Sequence, residues 1–136
     1  MPAIILVIED DEASRTLLLY LLEAAGYGVH SAADGGAGVR MALEHGPDLI
    51  LSDLQMPVMN GYEVARHLHA HPGWRRAPLI AVTAFSMPGD REKALEVGFQ
   101  DHISKPIDPE RFVRQVEAYL APAQRASPPP LDAGGC

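Results

Sequence analysis

The sequence predicts an α/β domain built on a buried, mostly parallel sheet. Two observations carry that expectation: apolar runs rich in β-branched residues alternate with amphipathic stretches, and glycines close several of those stretches just before the next run. A length of 136 residues with 47% hydrophobic content suits one ordinary domain with a buried core.

Taken in order, the first apolar run is Ile4 to Ile8, interrupted at once by Glu9, Asp10 and Asp11. Leu17, Leu18, Leu21, Leu22 and Ala25 then recur at helical spacing and form one apolar face, which Gly26 ends. Val29 to Ala33 is a weaker run, followed by a glycine-rich helix near Gly35 to His45 that Gly46 stops. Asp48 to Ser52 is the third run and ends in Asp53. A third helix carries His67, His69 and His71, and a loop with Trp74, Arg75 and Arg76, read as surface, leads to the fourth run, Pro78 to Thr83. Gly98 closes the fourth helical stretch before Asp101 to Ser104, and Phe112, Val113, Val116 and Leu120 mark the last helix. Five strands is the natural count.

From Ala121 the sequence turns to APAQRASPPPLDAGGC, without periodicity and too poor in apolar residues to pack. Residues 1–121 are expected to form the domain and 122–136 a flexible Pro/Ala/Gly-rich tail. No internal repeat is visible.

Composition excludes several classes. The short N-terminal apolar run is neither a signal peptide nor a membrane span, and a single cysteine, Cys136, rules out an internal disulfide framework and fits a reducing compartment. A cytoplasmic protein is expected. With 18 acidic against 11 basic side chains and a net charge of −7, direct nucleic-acid binding is not expected.

In parallel α/β sheets ligands bind beyond the carboxyl ends of the strands. Those ends carry Glu9, Asp10 and Asp11; Asp53; Thr83; and Lys105 with Pro106. Singly each has a plain explanation, an N-cap for an Asp or Thr and a solvated charge for Lys105. Together they make a site. If the first and third strands are neighbours, Glu9, Asp10 and Asp53 converge, and carboxylates that close demand a counter-ion. A partly hydrated hard cation, Mg²⁺ being the usual one, resolves the repulsion. Phosphoryl transfer to a carboxylate needs a nucleophile, charge neutralisation and donors for the phosphate oxygens, and Asp53, Mg²⁺ with Lys105, and Thr83 fill those roles.

The segments ILVIEDDE, DLILSDLQMPVMNG, LIAVTAF and ISKPID, in that order, give the chain a resemblance to the receiver domain of two-component response regulators over roughly residues 3 to 121. The resemblance implies a CheY-like, flavodoxin-like (βα)5 three-layer sandwich whose five-stranded parallel sheet has the order 2-1-3-4-5. It implies phosphorylation of Asp53, with Mg²⁺ held directly by Asp10, Asp53 and the backbone carbonyl of Gln55, and by Glu9 through water. Lys105 would pair with the phosphoryl oxygens, Thr83 would swing toward them, and the Lys105–Pro106 bond would be cis. Pro57 and Gly61 match the turn after the acceptor strand.

This chain departs from the family in two places. His102 stands where the family usually has a rotating Tyr or Phe switch, and Glu9 stands where many relatives have Asp. Gln55 and Phe85 border the route of the hydrolytic water and are expected to tune dephosphorylation; an apolar Phe85 predicts a long-lived phosphoryl group, which Phe85→Glu would shorten.

The resemblance further implies a histidine kinase or histidine phosphotransfer protein as phosphodonor, and a downstream protein met through the face of the fourth helix, fifth strand and fifth helix. Direct nucleic-acid and membrane contacts are not expected. A Mg²⁺-dependent small-molecule phosphatase using an aspartyl-phosphate intermediate is the alternative, disfavoured because Leu54 and Gln55 follow the nucleophile where a general acid is wanted. A flavin carrier would need a phosphate-binding loop where Glu9 to Glu12 would repel one. The pair His67 and His71, one turn apart, lacks a third metal ligand and is read as solvated.

Overall fold

A computed structural model describes residues 2–84 and 88–126. The chain alternates β1 (Ile4–Ile8), α1 (Glu12–Ala24), β2 (Gly28–Ala32), α2 (Gly35–His45), β3 (Leu49–Ser52), α3 (Gly61–Ala70), β4 (Leu79–Thr83), α4 (Asp90–Glu96), β5 (Asp101–Ser104) and α5 (Phe112–Glu117). All neighbouring strands pair in parallel, in the order β2-β1-β3-β4-β5, as the motifs implied.

Side chains alternate across the pleat, so each central strand feeds both layers. Leu6, Ile8, Ile50, Leu79 and Ala81 pack with α2, α3 and α4 in one core, while Ile5, Val7, Leu49, Leu51, Ile80 and Val82 pack with α1 and α5 in the other. Burial on both faces is why β1, β3 and β4 read as continuous apolar runs. β2 lies at the sheet edge and is half-buried, which explains its weaker run.

Caps set where the helices begin. Asp11 Oδ2 accepts from the Ser14 N–H at 2.9 Å, Asp34 Oδ1 from the Ala37 N–H at 2.8 Å, and Asn60 and Glu63 form a reciprocal capping box. The starts of α1 and α3 therefore sit at fixed points beside the carboxyl ends of β1 and β3.

Three expectations need correction. Trp74 is buried, 8% exposed, in the same core as Leu68, Leu79 and Phe99. The loop that carries it folds back, with the Trp74 N–H donating to the His71 carbonyl at 3.1 Å. His71 is the C-cap of α3 and not part of the helix. Residues 122–126, expected to lie in the tail, are held on the domain. Pro122–Gln124 form a 3₁₀ turn, the Ala3 N–H donates to the Gln124 carbonyl at 2.8 Å, and the Ala126 N–H donates to Tyr27 Oη at 3.0 Å. Phe85 and residues 127–136 lie outside the described residues.

Candidate functional site

β1 and β3 are adjacent, with Ile8 opposite Ser52, so the residues that follow them emerge side by side. The Asp53 N–H continues the ladder to the Ile8 carbonyl at 3.0 Å, and the Glu9 N–H does the same to Ala32 at 3.0 Å. Glu9, Asp10 and Asp53 each bring an oxygen within 4.8 Å of the others. Glu9 and Asp53 are buried, at 1% and 7% exposure, whereas Asp10 opens to solvent.

Lys105 reaches this cluster from the end of β5. Its N–H donates to the Thr83 carbonyl at 3.1 Å, extending the β4–β5 ladder, and its Nζ lies 2.9 Å from Glu9 Oε1 and 3.0 Å from Asp53 Oδ2. The Lys105–Pro106 bond is cis. Backbone donors hold the remaining oxygens: the Asp11 N–H serves Glu9 Oε2 at 3.1 Å and the Gln55 N–H serves Asp53 Oδ1 at 3.2 Å.

The electrostatics follow from this crowding. Burial pushes the Glu9 carboxyl above its usual range, the Asp53 charge adds to that, and Lys105 and the Asp11 N–H oppose it. Burial alone would lower the Lys105 pKa, but its bonds to Glu9 and Asp53 outweigh burial and raise it. Two carboxylates within 4.8 Å of each other repel by about 3 kcal/mol or more at an effective dielectric near 20. One ammonium against three carboxylates leaves two negative charges, which suits a divalent cation with oxygen ligands.

Thr83 is buried at the end of β4 in register with Ser104. The Gln55 side chain is exposed. His102 is not part of the cluster: it lies three residues before Lys105 on β5, about 10 Å back along the strand. It is half-buried with Nδ1 3.6 Å from Asp101 Oδ1. Of the two adjacent acids the sequence placed Asp10 in the cluster, and the structure gives each a separate place. Asp11 caps α1, and this capping hydrogen bond from Ser14 holds its carboxyl below the usual range. Asp10 joins the cluster. Arg15 was missed; its Nη1 donates to the Glu9 carbonyl at 2.9 Å and braces the turn. A partner six residues away with no periodic signal offers nothing to find it by.

The model of the response regulator receiver domain family matches residues 5–117. The chain is 41% identical over 123 residues to the polar-differentiation response regulator DivK of Brucella anthropi, covering 90% of this chain and 100% of that protein. DivK of Brucella ovis is 40% identical over 119 residues, covering 88% of this chain and 97% of that one. Among solved structures, the Vibrio cholerae chemotaxis response regulator CheY4 superposes with a TM-score of 0.82 at 28% identity, covering 88% of this chain and 100% of that one. The receiver domain of a Pseudomonas aeruginosa sensor histidine kinase, with a magnesium ion coordinated in its active site cleft, superposes at 0.78 with 35% identity, covering 88% and 98%.

Proposed function

The chain belongs to the response regulator receiver domain family and is a phosphoryl-accepting switch of two-component signalling; we propose that Asp53 is the acceptor and that the residues around it have the following roles. The observation that carries this is the convergence of Glu9, Asp10, Asp53 and Lys105 at the carboxyl ends of β1, β3 and β5.

An Asp53 carboxylate oxygen attacks the phosphorus in line, the phosphorus–nitrogen bond of the phosphohistidine donor breaks, and the imidazole leaves with that electron pair. Lys105 exchanges its Asp53 partner for the phosphoryl oxygens and keeps the developing charge paired. Thr83 offers its hydroxyl from the neighbouring strand. Asp10, Asp53 and the Gln55 carbonyl would hold Mg²⁺ directly, with Glu9 acting through water. The carboxylate set found here fits a hard cation, and the Pseudomonas receiver coordinates magnesium in its active site cleft. Bound there, Mg²⁺ neutralises phosphoryl oxygens.

Receivers are charged by histidine kinases or phosphotransfer proteins and act on downstream proteins. We assign output in this chain to the α4, β5 and α5 face, where His102 stands as the switch residue. Gln55 and Phe85 set the rate at which the domain hydrolyses its own phosphoryl group. A small-molecule phosphatase is not supported: Leu54, directly after the acceptor, is a buried core side chain.

Incubation with acetyl phosphate and Mg²⁺ followed by intact mass tests the assignment. One phosphoryl mass should appear on the chain and none on Asp53→Asn. A phosphoryl mass that persists on the variant rejects Asp53 as the acceptor.

A further inference from the structure

Between Val64 and Gly89 the chain contains no Asp or Glu, yet three arginines and three histidines fall between Arg66 and Arg76. In a protein of net charge −7 this is a local reversal of sign. The sheet is parallel, so α3 runs back from the carboxyl ends of the strands, and its last turn and the loop before β4 lie at the opposite edge from Asp53. Arg66, His67, His69, His71, Arg75 and Arg76 are all exposed there.

Three features show that this loop is built. Arg76 is held at φ 57°, left-handed backbone that a non-glycine residue adopts only under strain. Trp74 Nε1 is a buried donor without an acceptor among the described residues. Arg75 reaches across to the end of α2, where its Nη1 would lie 2.7 Å from a Cβ on Gly46. His69 likewise lies over Gly98, at the end of α4. The basic surface thus joins the ends of α2, α3 and α4.

Several acids at this edge are committed to internal donors. Asp48 accepts from the Ile4 N–H, Asp101 from the His102 N–H and the Tyr119 hydroxyl, and Glu117 from the Tyr27 hydroxyl. Glu44 and Glu96, both exposed, stand at the ends of α2 and α4 and bound the patch.

We propose that this surface docks an acidic, Asp/Glu-rich segment of a partner protein, whatever the phosphorylation state of Asp53. Guanidinium forks match carboxylates in pairs, and the exposed Glu44 and Glu96 at the ends of α2 and α4 favour a short acidic segment over a long polyanion. A nucleic-acid backbone or an anionic bilayer runs beyond those bounds onto negative surface. The surface shares no residue with the phosphorylation site, so the proposal stands or falls apart from that assignment.

Trp74 is the only tryptophan, so its emission reports from inside the loop. The test titrates a labelled poly-glutamate peptide into the full chain, following label anisotropy and Trp74 emission together. Saturable, salt-sensitive binding is expected, weakened roughly tenfold by the double variant Arg75→Glu, Arg76→Glu and unchanged by Asp53→Asn. Arg76→Gly, which suits the backbone at that position, should weaken binding while the melting temperature is kept. The proposal is overturned by absence of saturable binding, by equal binding to the double variant, or by tighter binding of duplex DNA or anionic vesicles than of the peptide.

Discussion

A Cβ on Gly61 would stand 2.3 Å from the Asp53 carbonyl oxygen and 2.8 Å from Leu54 Cα. Those are backbone atoms of Asp53 and the turn that follows it, so neither can yield without moving Asp53. Gly61→Ala should therefore cost about 2 kcal/mol in urea unfolding and also slow phosphorylation by acetyl phosphate. Unchanged phosphorylation would show that the turn adapts. Val58, in the same loop, has the opposite sign. It is fully exposed with φ 69°, a conformation that a β-branched residue adopts at a cost of about 1 kcal/mol or more. Val58→Asn keeps the turn and relieves that cost, so the melting temperature should rise by roughly 4 °C. Sequence marked Gly61 as a turn residue because glycine punctuates turns, but the close approach to Asp53 is a tertiary contact that no local pattern encodes.

α5 shows what anchors a helix that has only six residues and no side-chain cap. Besides the core contacts of Phe112 and Val116, phenol–carboxylate bonds tie this region down: Tyr27 to Glu117, and Tyr119 to Asp101 at 2.9 Å. Burial, reinforced by the carboxylate partner, pushes each phenol up to about 12 from an ordinary value of 10. The folded state thus holds these protons more tightly than the unfolded chain. The resulting stabilisation is complete below pH 10 and is lost as pH rises toward 12. Melting temperatures measured across pH 9 to 12 should fall through that window. Tyr27→Phe should lower stability by about 2 kcal/mol at pH 8 and flatten the decline, since it removes one of the two phenols bonded to a carboxylate. An equally steep decline in Tyr27→Phe would assign the effect elsewhere. The helices and central strands were legible because burial leaves a period of 3.6 on helices and a continuous apolar run on strands packed on both faces. Trp74 and residues 122–126 were not. A lone aromatic in a polar window has no period, and a segment held by hydrogen bonds to Ala3 and Tyr27, with only Ala126 against the core, shows no apolar pattern.

A parallel sheet places every strand's carboxyl end on one edge, and in this chain that edge gathers Glu9, Asp10, Asp53 and Lys105 from segments nearly a hundred residues apart. Strand-end position and residue type sufficed to nominate the set from sequence. The Lys105 contact with Glu9, which pairs the ammonium before any phosphoryl group arrives, needed coordinates. Concentrating like charge carries a stability cost, because three carboxylates within 4.8 Å face a single ammonium charge, which pairs with Glu9 and Asp53. Two consequences of opposite sign follow for one substitution. Without divalent ions, Asp10→Asn removes an exposed member of the repelling set and should raise stability by about 1 kcal/mol. With Mg²⁺ at ten times its dissociation constant, the unsubstituted chain should gain about 1.4 kcal/mol, or roughly 5 °C, because the ion binds only the folded cluster. Asp10→Asn should lose most of that gain. The stability order of the two proteins should therefore narrow or invert between EDTA and Mg²⁺, which thermal unfolding in the two buffers measures directly. Parallel shifts in both proteins would mean that the ion binds elsewhere, and a less stable variant in EDTA would mean that Asp10 is held by something other than the charge balance of the site.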